Sequence, residues 1–280
     1  MPKLLPRLSA AGLIMFQVLF ALNVQGQGNL MITPKRVVFE GNRRTMDINL
    51  ANIGEDTATY AISLIQNRMT EDGNFVEITE PDEGQQFASP YLRYFPRSVT
   101  LAPKESQTVK IQLYRTAGLA PGEYRSHIYF RAVPGEKPLG EEEEVSDPSS
   151  ITIKLVPIFG ITIPVIIRIG EPDVNVTLSD LQFGMENDTV PKLSMFFNRS
   201  GNYSVYGDVA VDHISPDGKA TRVGIANGVA VYTPNSRRSL SLGLFNTATV
   251  NLRSGKLRVT YSAPSDVKPR KYAEAELILQ

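Results

Sequence analysis

The chain has 280 residues, of which 42% are hydrophobic, and its 29 Lys and Arg residues balance its 29 Asp and Glu residues. This balance disfavours nucleic acid or an anionic lipid surface as the main partner. Because the chain contains no Cys, it has neither a disulfide framework nor a lipid-attachment cysteine, and its fold depends on its hydrophobic core.

The N-terminal segment has the pattern of a secretory signal. Lys3 and Arg7 precede an apolar stretch at residues 13–22, and Val24 and Gly26 are small enough for a signal peptidase. Residues 1–26 are therefore predicted to be a cleaved signal peptide. The apolar stretch is short for a membrane span and no later segment is long and uninterrupted enough. The mature protein is expected to be exported and soluble, without direct membrane insertion.

Strand patterns separated by turn signals fill the next part of the chain. The predicted strands cover residues 35–39, 45–50, 57–64, 107–113 and 126–133. Turn signals occur at residues 71–74, 102–104 and 120–122. No convincing amphipathic helix interrupts this series, and the spacing predicts an all-β sandwich.

Four consecutive glutamates at residues 141–144 stand between Pro138 and Pro148. Such a run of like charges rarely folds, so it is predicted to be a mobile loop. Carboxylates in a flexible loop lack the rigid geometry of a dedicated cation site, and no metal site is assigned to them.

Residues 151–169 carry the most informative pattern of the chain, because every odd-numbered residue is apolar. This period of two predicts one strand of about 60 Å. Pro157 and Pro164 cannot donate to a hydrogen-bond ladder, which places the strand at a sheet edge. An exposed apolar edge normally promotes aggregation, so its presence indicates that another strand pairs with it.

A second series of strands follows a predicted hinge at residues 170–173. These strands cover residues 174–178, 192–197, 205–214, 228–232, 239–244, 256–261 and 273–279. The simplest division is into two domains, at residues 27–170 and 171–280.

The sequence contains no recognisable catalytic motif. The only histidines, His127 and His213, lie in different predicted domains within strand patterns, and there is no Cys nucleophile, Ser elbow or phosphate-binding Gly loop. We therefore expect a binding protein rather than an enzyme, with no cofactor and no metal.

Several segments resemble the periplasmic pilus-assembly chaperones of the chaperone-usher pathway. They occur in the family's order, over about residues 30–170: 34–41 (PKRVVFEG), 50–54 (LANIG), 96–103 (PRSVTLAP), 107–111 (QTVKI) and 122–130 (GEYRSHIYF). The resemblance implies two immunoglobulin-like β-sandwich domains joined at an angle. It also implies a periplasmic protein that lends a strand to an incomplete pilus or fimbrial subunit and delivers that subunit to an outer-membrane usher.

The same resemblance identifies candidate subunit-binding residues. By position, the donors are Ile151, Ile153, Leu155 and Phe159, whereas residues 161–169 are expected to pack in the first domain. The donor strand could also support self-association. An alternative is a secreted immunoglobulin-like binding or structural protein without chaperone activity, which would bury this whole apolar face within itself.

A basic pair in the interdomain cleft anchors the subunit's terminal carboxylate in the family. Arg36 matches the first member, but Pro164 stands where the lysine is expected, and Arg168 matches an arginine tied to interdomain structure. Three possibilities follow: Arg36 acts alone, or Lys154 or Arg168 replaces the lysine. Arg36 could equally be an exposed residue at the start of a strand.

Overall fold

The computed structural model describes residues 30–134, 158–187 and 189–279. The predicted signal peptide, the acidic loop and the donor residues Ile151, Ile153, Lys154 and Leu155 lie outside these ranges. Within them, the helical segments are two 3-10 turns, Ser89–Tyr91 and Thr247–Thr249. No helix in the described ranges is long and apolar enough to cross a membrane. The protein is all-β, as predicted, and forms two immunoglobulin-like sandwiches.

The first sandwich contains two sheets with the strand orders β1-β3-β9-β7 and β2-β11-β10-β4-β8, and a separate β5-β6 hairpin. Its strands are β1 Leu30–Thr33, β2 Val37–Phe39, β3 Thr45–Asn52, β4 Ala58–Ile65, β5 Asn67–Met69, β6 Phe75–Glu77, β7 Leu92–Phe95, β8 Ser98–Leu101, β9 Ser106–Leu113, β10 Gly122–Val133 and β11 Gly160–Ile169. The predicted strands are confirmed with small shifts at their ends. The hairpin tip predicted at residues 71–74 is also confirmed, because it joins β5 to β6.

The first core lies between these two sheets because alternate residues of each strand point inward. On β9, Val109 and Ile111 are fully buried, with the exposed Lys110 between them. On β11, Ile163, Val165 and Ile167 enter the same core. This confirms the packing predicted for these three odd-numbered residues, although Ile161 remains 38% exposed.

The edge position predicted for the long strand is wrong for part of it. Strand β2 pairs in parallel with Val165, Ile166 and Ile167 of β11, while β10 pairs antiparallel on the other side. The C-terminal part of β11 is therefore internal to the sheet. The physical reason is that the proline on this strand, Pro164, precedes the segment that β2 covers, so no donor is lost from the parallel ladder.

The second sandwich also has two sheets, ordered β12-β13-β16 and β15-β14-β17-β18. Its strands are β12 Val174–Glu186, β13 Val190–Gly201, β14 Val205–Ile214, β15 Ala220–Val231, β16 Arg237–Gly243, β17 Lys256–Ser262 and β18 Lys271–Ile278. Leu193, Phe197, Val211 and Tyr261 are among the residues of its own core. We propose that the boundary between the domains lies at Gly170, which adopts a φ of 87° that suits glycine.

The two sandwiches pack against each other through a small apolar cluster. Ile166 of β11 and Met69 of β5 are buried there with Ala230 and Tyr232 of the second sandwich. The β5-β6 hairpin adds polar contacts, because Ser239 N donates to Glu71 O at 2.7 Å and Asn235 Nδ2 donates to Met69 O at 2.8 Å. The hairpin therefore acts as a strap between the domains.

Candidate functional site

The candidate site is the face of β10, β11 and β2 that points away from the first core and toward the second domain. Since side chains alternate along a strand, Glu123, Arg125 and His127 of β10 share this face, whereas Tyr124 and Ile128 enter the core. All three polar residues are buried. Buried polar and charged groups require partners, so their contacts define what this surface can do.

Glu123 joins the two domains by hydrogen bonds. Its side chain is fully buried, and its Oε2 accepts bonds from Ser204 N at 3.0 Å and Ser204 Oγ at 2.8 Å. Thr233 Oγ1 donates to Oε1 at 3.5 Å. One carboxylate of the first domain therefore satisfies donors from two segments of the second.

Arg168 belongs to the same network. Its Nε donates to Glu123 Oε2 at 3.1 Å, one Nη donates to Ser204 O at 3.0 Å, and the other reaches Glu40 Oε2 at 3.4 Å. The guanidinium also lies over the ring of Tyr203, 5.0 Å from its centroid. Each of its three nitrogens thus has an acceptor within the interface, an arrangement that suits an interdomain role.

Arg36 lies at the rim of the same cleft, immediately before β2. It is partly exposed, and its guanidinium carbon is 4.8 Å from the ring centroid of Tyr206 and 5.8 Å from that of Tyr232. Its only hydrogen bond among the described residues is a long one, 3.4 Å, to Ser204 Oγ. Its Nε is buried without a hydrogen-bond partner in that part of the chain.

Arg125 is the most deeply buried cation of the site, at 2% exposure. Its guanidinium carbon lies 4.4 Å from the ring centroid of Tyr232, and one Nη donates to Thr233 O at 3.3 Å. Its Nε and the other Nη have no partner among the residues described. Burial lowers the pKa of Arg125, and the nearby Arg36 lowers it further, against the opposing effects of Tyr232 and Glu123.

His127 is buried beside these groups. Neither ring nitrogen has a hydrogen-bond partner within the described ranges, and the ring of Phe75 packs edge-on against it at 5.3 Å between centroids. Burial, and secondarily the charge of Arg125, lower the pKa of His127 to about 3. The imidazole is therefore neutral near pH 7, and it adds no third positive charge to the cleft.

A second surface feature is the edge of β11. The portion covered by β2 begins at Val165, so from Gly160 to Pro164 the described pairing of β11 is with β10 alone. Pairing with β10 extends back to Phe159, whose carbonyl accepts a hydrogen bond from Ala132 N at 2.9 Å. Phe159 is 61% exposed and Ile161 38%. Among the described residues, the main-chain groups on this side of β11 have no strand partner, and they lie beside exposed apolar side chains; these are the two elements of strand addition.

The structure brings two of the sequence-predicted site residues together. Arg36 and Arg168 both contact Ser204, and Phe159 immediately precedes β11, the strand that contains Arg168. Sequence reasoning missed Glu123, Arg125 and Tyr232. A signal for the first two was available, because Glu-x-Arg-x-His places three polar residues at a period of two, and therefore on one face of a strand. No such pattern marks Tyr232.

No family model matches the chain, and no curated protein matches it. Among solved structures, the chain is similar to the CupB2 chaperone of Pseudomonas aeruginosa, at 14% identity and a TM-score of 0.42, over 88% of this chain and 98% of that one. It is also similar to the CsuC-CsuE chaperone-tip adhesion subunit complex of Acinetobacter baumannii, at 11% identity and a TM-score of 0.45, over 88% and 98%. For the E. coli chaperone DraB, the identity is 13% and the TM-score 0.43, over 90% and 97%. Likenesses this distant fix neither a site nor an activity, so the function has to rest on the chain's own residues.

Proposed function

We propose that this protein is a periplasmic chaperone that binds a pilus or fimbrial subunit by donor-strand complementation and delivers it to an outer-membrane usher. The predicted signal peptide supports export. The motifs of the first domain support the chaperone class, and the immunoglobulin-like fold is compatible with it. The single observation that carries the proposal is that, within residues 30–134, 158–187 and 189–279, β11 pairs with β10 alone from Gly160 to Pro164.

The open edge supplies the physical basis for subunit capture. A subunit strand that pairs with it would gain main-chain hydrogen bonds, while alternate side chains of this chain would fill the subunit's groove. The proposed donors are Ile151, Ile153, Leu155 and Phe159. At about 1.5 to 3 kcal/mol for each fully buried large apolar side chain, four donors contribute roughly 6 to 12 kcal/mol before ordering costs.

The position of β2 limits how far a subunit strand could extend. Val37 pairs with Val165, so β2 occupies the edge immediately beyond Pro164. A strand added along the free edge would therefore end beside Arg36, the residue that precedes Val37. We propose that Arg36 binds the subunit's terminal carboxylate there. A strand whose carboxyl end lies at Arg36 would run parallel to β11.

Replacing Ile153 and Leu155 together by Asp tests the donor role. We expect the variant to lose capture of the exported partner that co-purifies with the wild-type protein, while its thermal unfolding is unchanged. Phe95→Asp is a matched control, because Phe95 is 75% exposed on β7, an edge strand of the other sheet. If the double variant fails to fold, these residues belong to the protein's own core. That result, or equal loss of capture in the control, would contradict the proposal.

Arg36→Ala tests the carboxylate contact separately. The substitution removes a partly exposed guanidinium from two tyrosine rings, which costs about 1 kcal/mol of stability. The variant should therefore remain folded, whereas the yield of complex should fall. An unchanged yield of complex would remove Arg36 from the binding site.

A further inference from the structure

The two histidines of the chain are equally buried, at 2% exposure, but they are satisfied to very different extents. In the second domain, His213 Nε2 donates to Asn251 O at 3.1 Å and to Ser254 O at 2.9 Å. Neither ring nitrogen of His127 has a hydrogen-bond partner among the described residues. Because a buried polar group without a partner costs free energy, exposing His127 to water would recover free energy that exposing His213 would not.

The β5-β6 hairpin covers His127. The ring of Phe75 on β6 packs edge-on against the imidazole, and its centroid lies 6.1 Å from that of the Tyr232 ring in the second domain. Phe75 is itself 47% exposed. A two-stranded hairpin is marginally stable by itself, so its position over His127 depends on its contacts with neighbouring elements.

The tip of the hairpin lies directly on Arg238 of the second domain. A Cβ at Gly73 would be 2.5 Å from both Nε and Nη2 of that guanidinium, and Gly73 has a φ of 84°, which suits glycine. The main-chain contacts with Asn235 and Ser239 complete the docking. The strap is thus held by a few local contacts, and elements held in this way open locally before the whole protein unfolds.

The described elements packed around His127 act on it with one charged group, Arg125, which has the same sign as an imidazolium. On β10, the neighbours of His127 on the same face are Arg125 and Tyr129. The residues paired with His127 are Pro164 of β11 and Ile65 of β4, and neither titrates. The hairpin contributes an apolar ring. A protonated imidazole is therefore destabilised under the closed strap, whereas water would stabilise it in an open one.

We propose that protonation of His127 opens the strap, so that the β5-β6 hairpin is an acid-sensitive element of the contact between the domains. The proton adds to the ring nitrogen that carries the lone pair, and the cation is hydrated when Phe75 moves away. Opening also separates Phe75 from Tyr232, the ring that lies against the Arg125 guanidinium. Acid therefore changes one wall of the interdomain cleft.

The Glu123–Ser204 contact does not involve the hairpin, so it keeps the two domains attached while the strap is open. The proposal rests on the packing around His127 and not on the proposed chaperone function.

The direction and size of the effect follow from the two protonation equilibria. The pKa of His127 is about 3 under the closed strap and returns toward the ordinary value of about 6.5 when the ring is hydrated. Protons therefore favour the open form below pH 6.5, and the equilibrium constant for opening rises about tenfold for each pH unit until pH 3. Between pH 7.5 and pH 5 the increase is about 30-fold.

Amide hydrogen exchange of the native wild-type protein measures this opening. After correction for the intrinsic pH dependence of exchange, protection of the amides in residues 69–77 should fall about 30-fold from pH 7.5 to pH 5. The amides of β10 should remain better protected at each pH, which separates local opening from unfolding. His127→Phe is the matched control, since it keeps an aromatic ring and removes the titrating nitrogens. Its hairpin protection should not depend on pH in this range.

Gly73→Ala tests the same coupling from the opposite side. The added methyl group crowds Arg238 and is strained at this φ, so the strap should open more often although no titrating group has changed. The midpoint of the His127 NMR titration should then move from its wild-type value toward 6.5.

Three results would overturn the proposal. These are equal hairpin protection at pH 7.5 and pH 5 in the wild-type protein, a pH dependence that persists in His127→Phe, and an unchanged His127 midpoint in a Gly73→Ala protein whose hairpin exchanges faster. None of these measurements uses a subunit, so their outcome is independent of the capture tests of the proposed function.

Discussion

Glu123 and Ser204 hold the two domains together. The fully buried carboxylate of Glu123 accepts hydrogen bonds from both the backbone N–H and the hydroxyl of Ser204, at 3.0 Å and 2.8 Å. Charged acceptors make stronger hydrogen bonds than neutral ones, and burial protects these bonds from competition with water. The relative position of the domains, and with it the shape of the cleft, therefore depends on this contact.

Glu123→Gln should lower the free energy of unfolding by about 2 to 4 kcal/mol, because it leaves the Arg168 guanidinium without its buried charge partner. Urea unfolding of the mature protein measures this change. Glu186→Gln is the matched control, since Glu186 pairs with Lys192 at the exposed surface, where ion pairs contribute at most about 1 kcal/mol. Equal effects of the two substitutions would show that Glu123 has no special role in the interface.

His127 should make stability depend on pH. Its pKa falls from 6.5 to about 3 in the folded protein, so between these values the unfolded chain binds a proton that the folded protein excludes. The contribution of His127 to the free energy of unfolding is therefore fully present above pH 6.5, and it is lost as the pH falls toward 3. The slope from this residue is about 1.4 kcal/mol per pH unit.

The direct measurement for His127 is its NMR titration in the folded protein. The ring resonances should remain those of the neutral form down to pH 5. A midpoint near 6.5 would contradict the burial of an unpartnered imidazole in this cleft.

Asn235→Ala should loosen the strap between the domains. The substitution removes the hydrogen bond from Asn235 Nδ2 to Met69 O, which costs about 1 kcal/mol of stability, and amides of the β5-β6 hairpin should exchange faster with deuterium. Asn175→Ala is the control, because Asn175 is exposed on β12 and should change stability by less than about 0.5 kcal/mol. Unchanged hairpin exchange in Asn235→Ala would mean that this bond does not hold the strap.

Most of the fold could be predicted because the strands alternate strongly. Residues 205–214 match β14 at both ends, since its burial alternates along its whole length. The start of β15 at Ala220 was missed because irregular pairing with β14 breaks its alternation. Patterning alone did not predict the short strands β1, β5, β6 and β7, because three or four residues contain too little of a period-two pattern. The short strand β8 lies within residues 96–103, which resemble a strand of the family.

The candidate site was less predictable than the fold. The resemblance in the first domain located Arg36 and Arg168, but the surroundings of Arg125 depend on Tyr232, more than 100 positions away in the sequence. The coverage of β11 by β2 likewise depends on parallel pairing between distant segments. Local patterns contain no information about such contacts.

Amide hydrogen exchange of the complex with the captured partner tests the central claim most directly. If β11 and the residues before it accept a subunit strand, amides within residues 151–164 should be protected in the complex relative to the free protein, and those of β7 should not change. Protection confined to β7 or to the second domain, with residues 151–164 exchanging as in the free protein, would contradict strand addition at this edge.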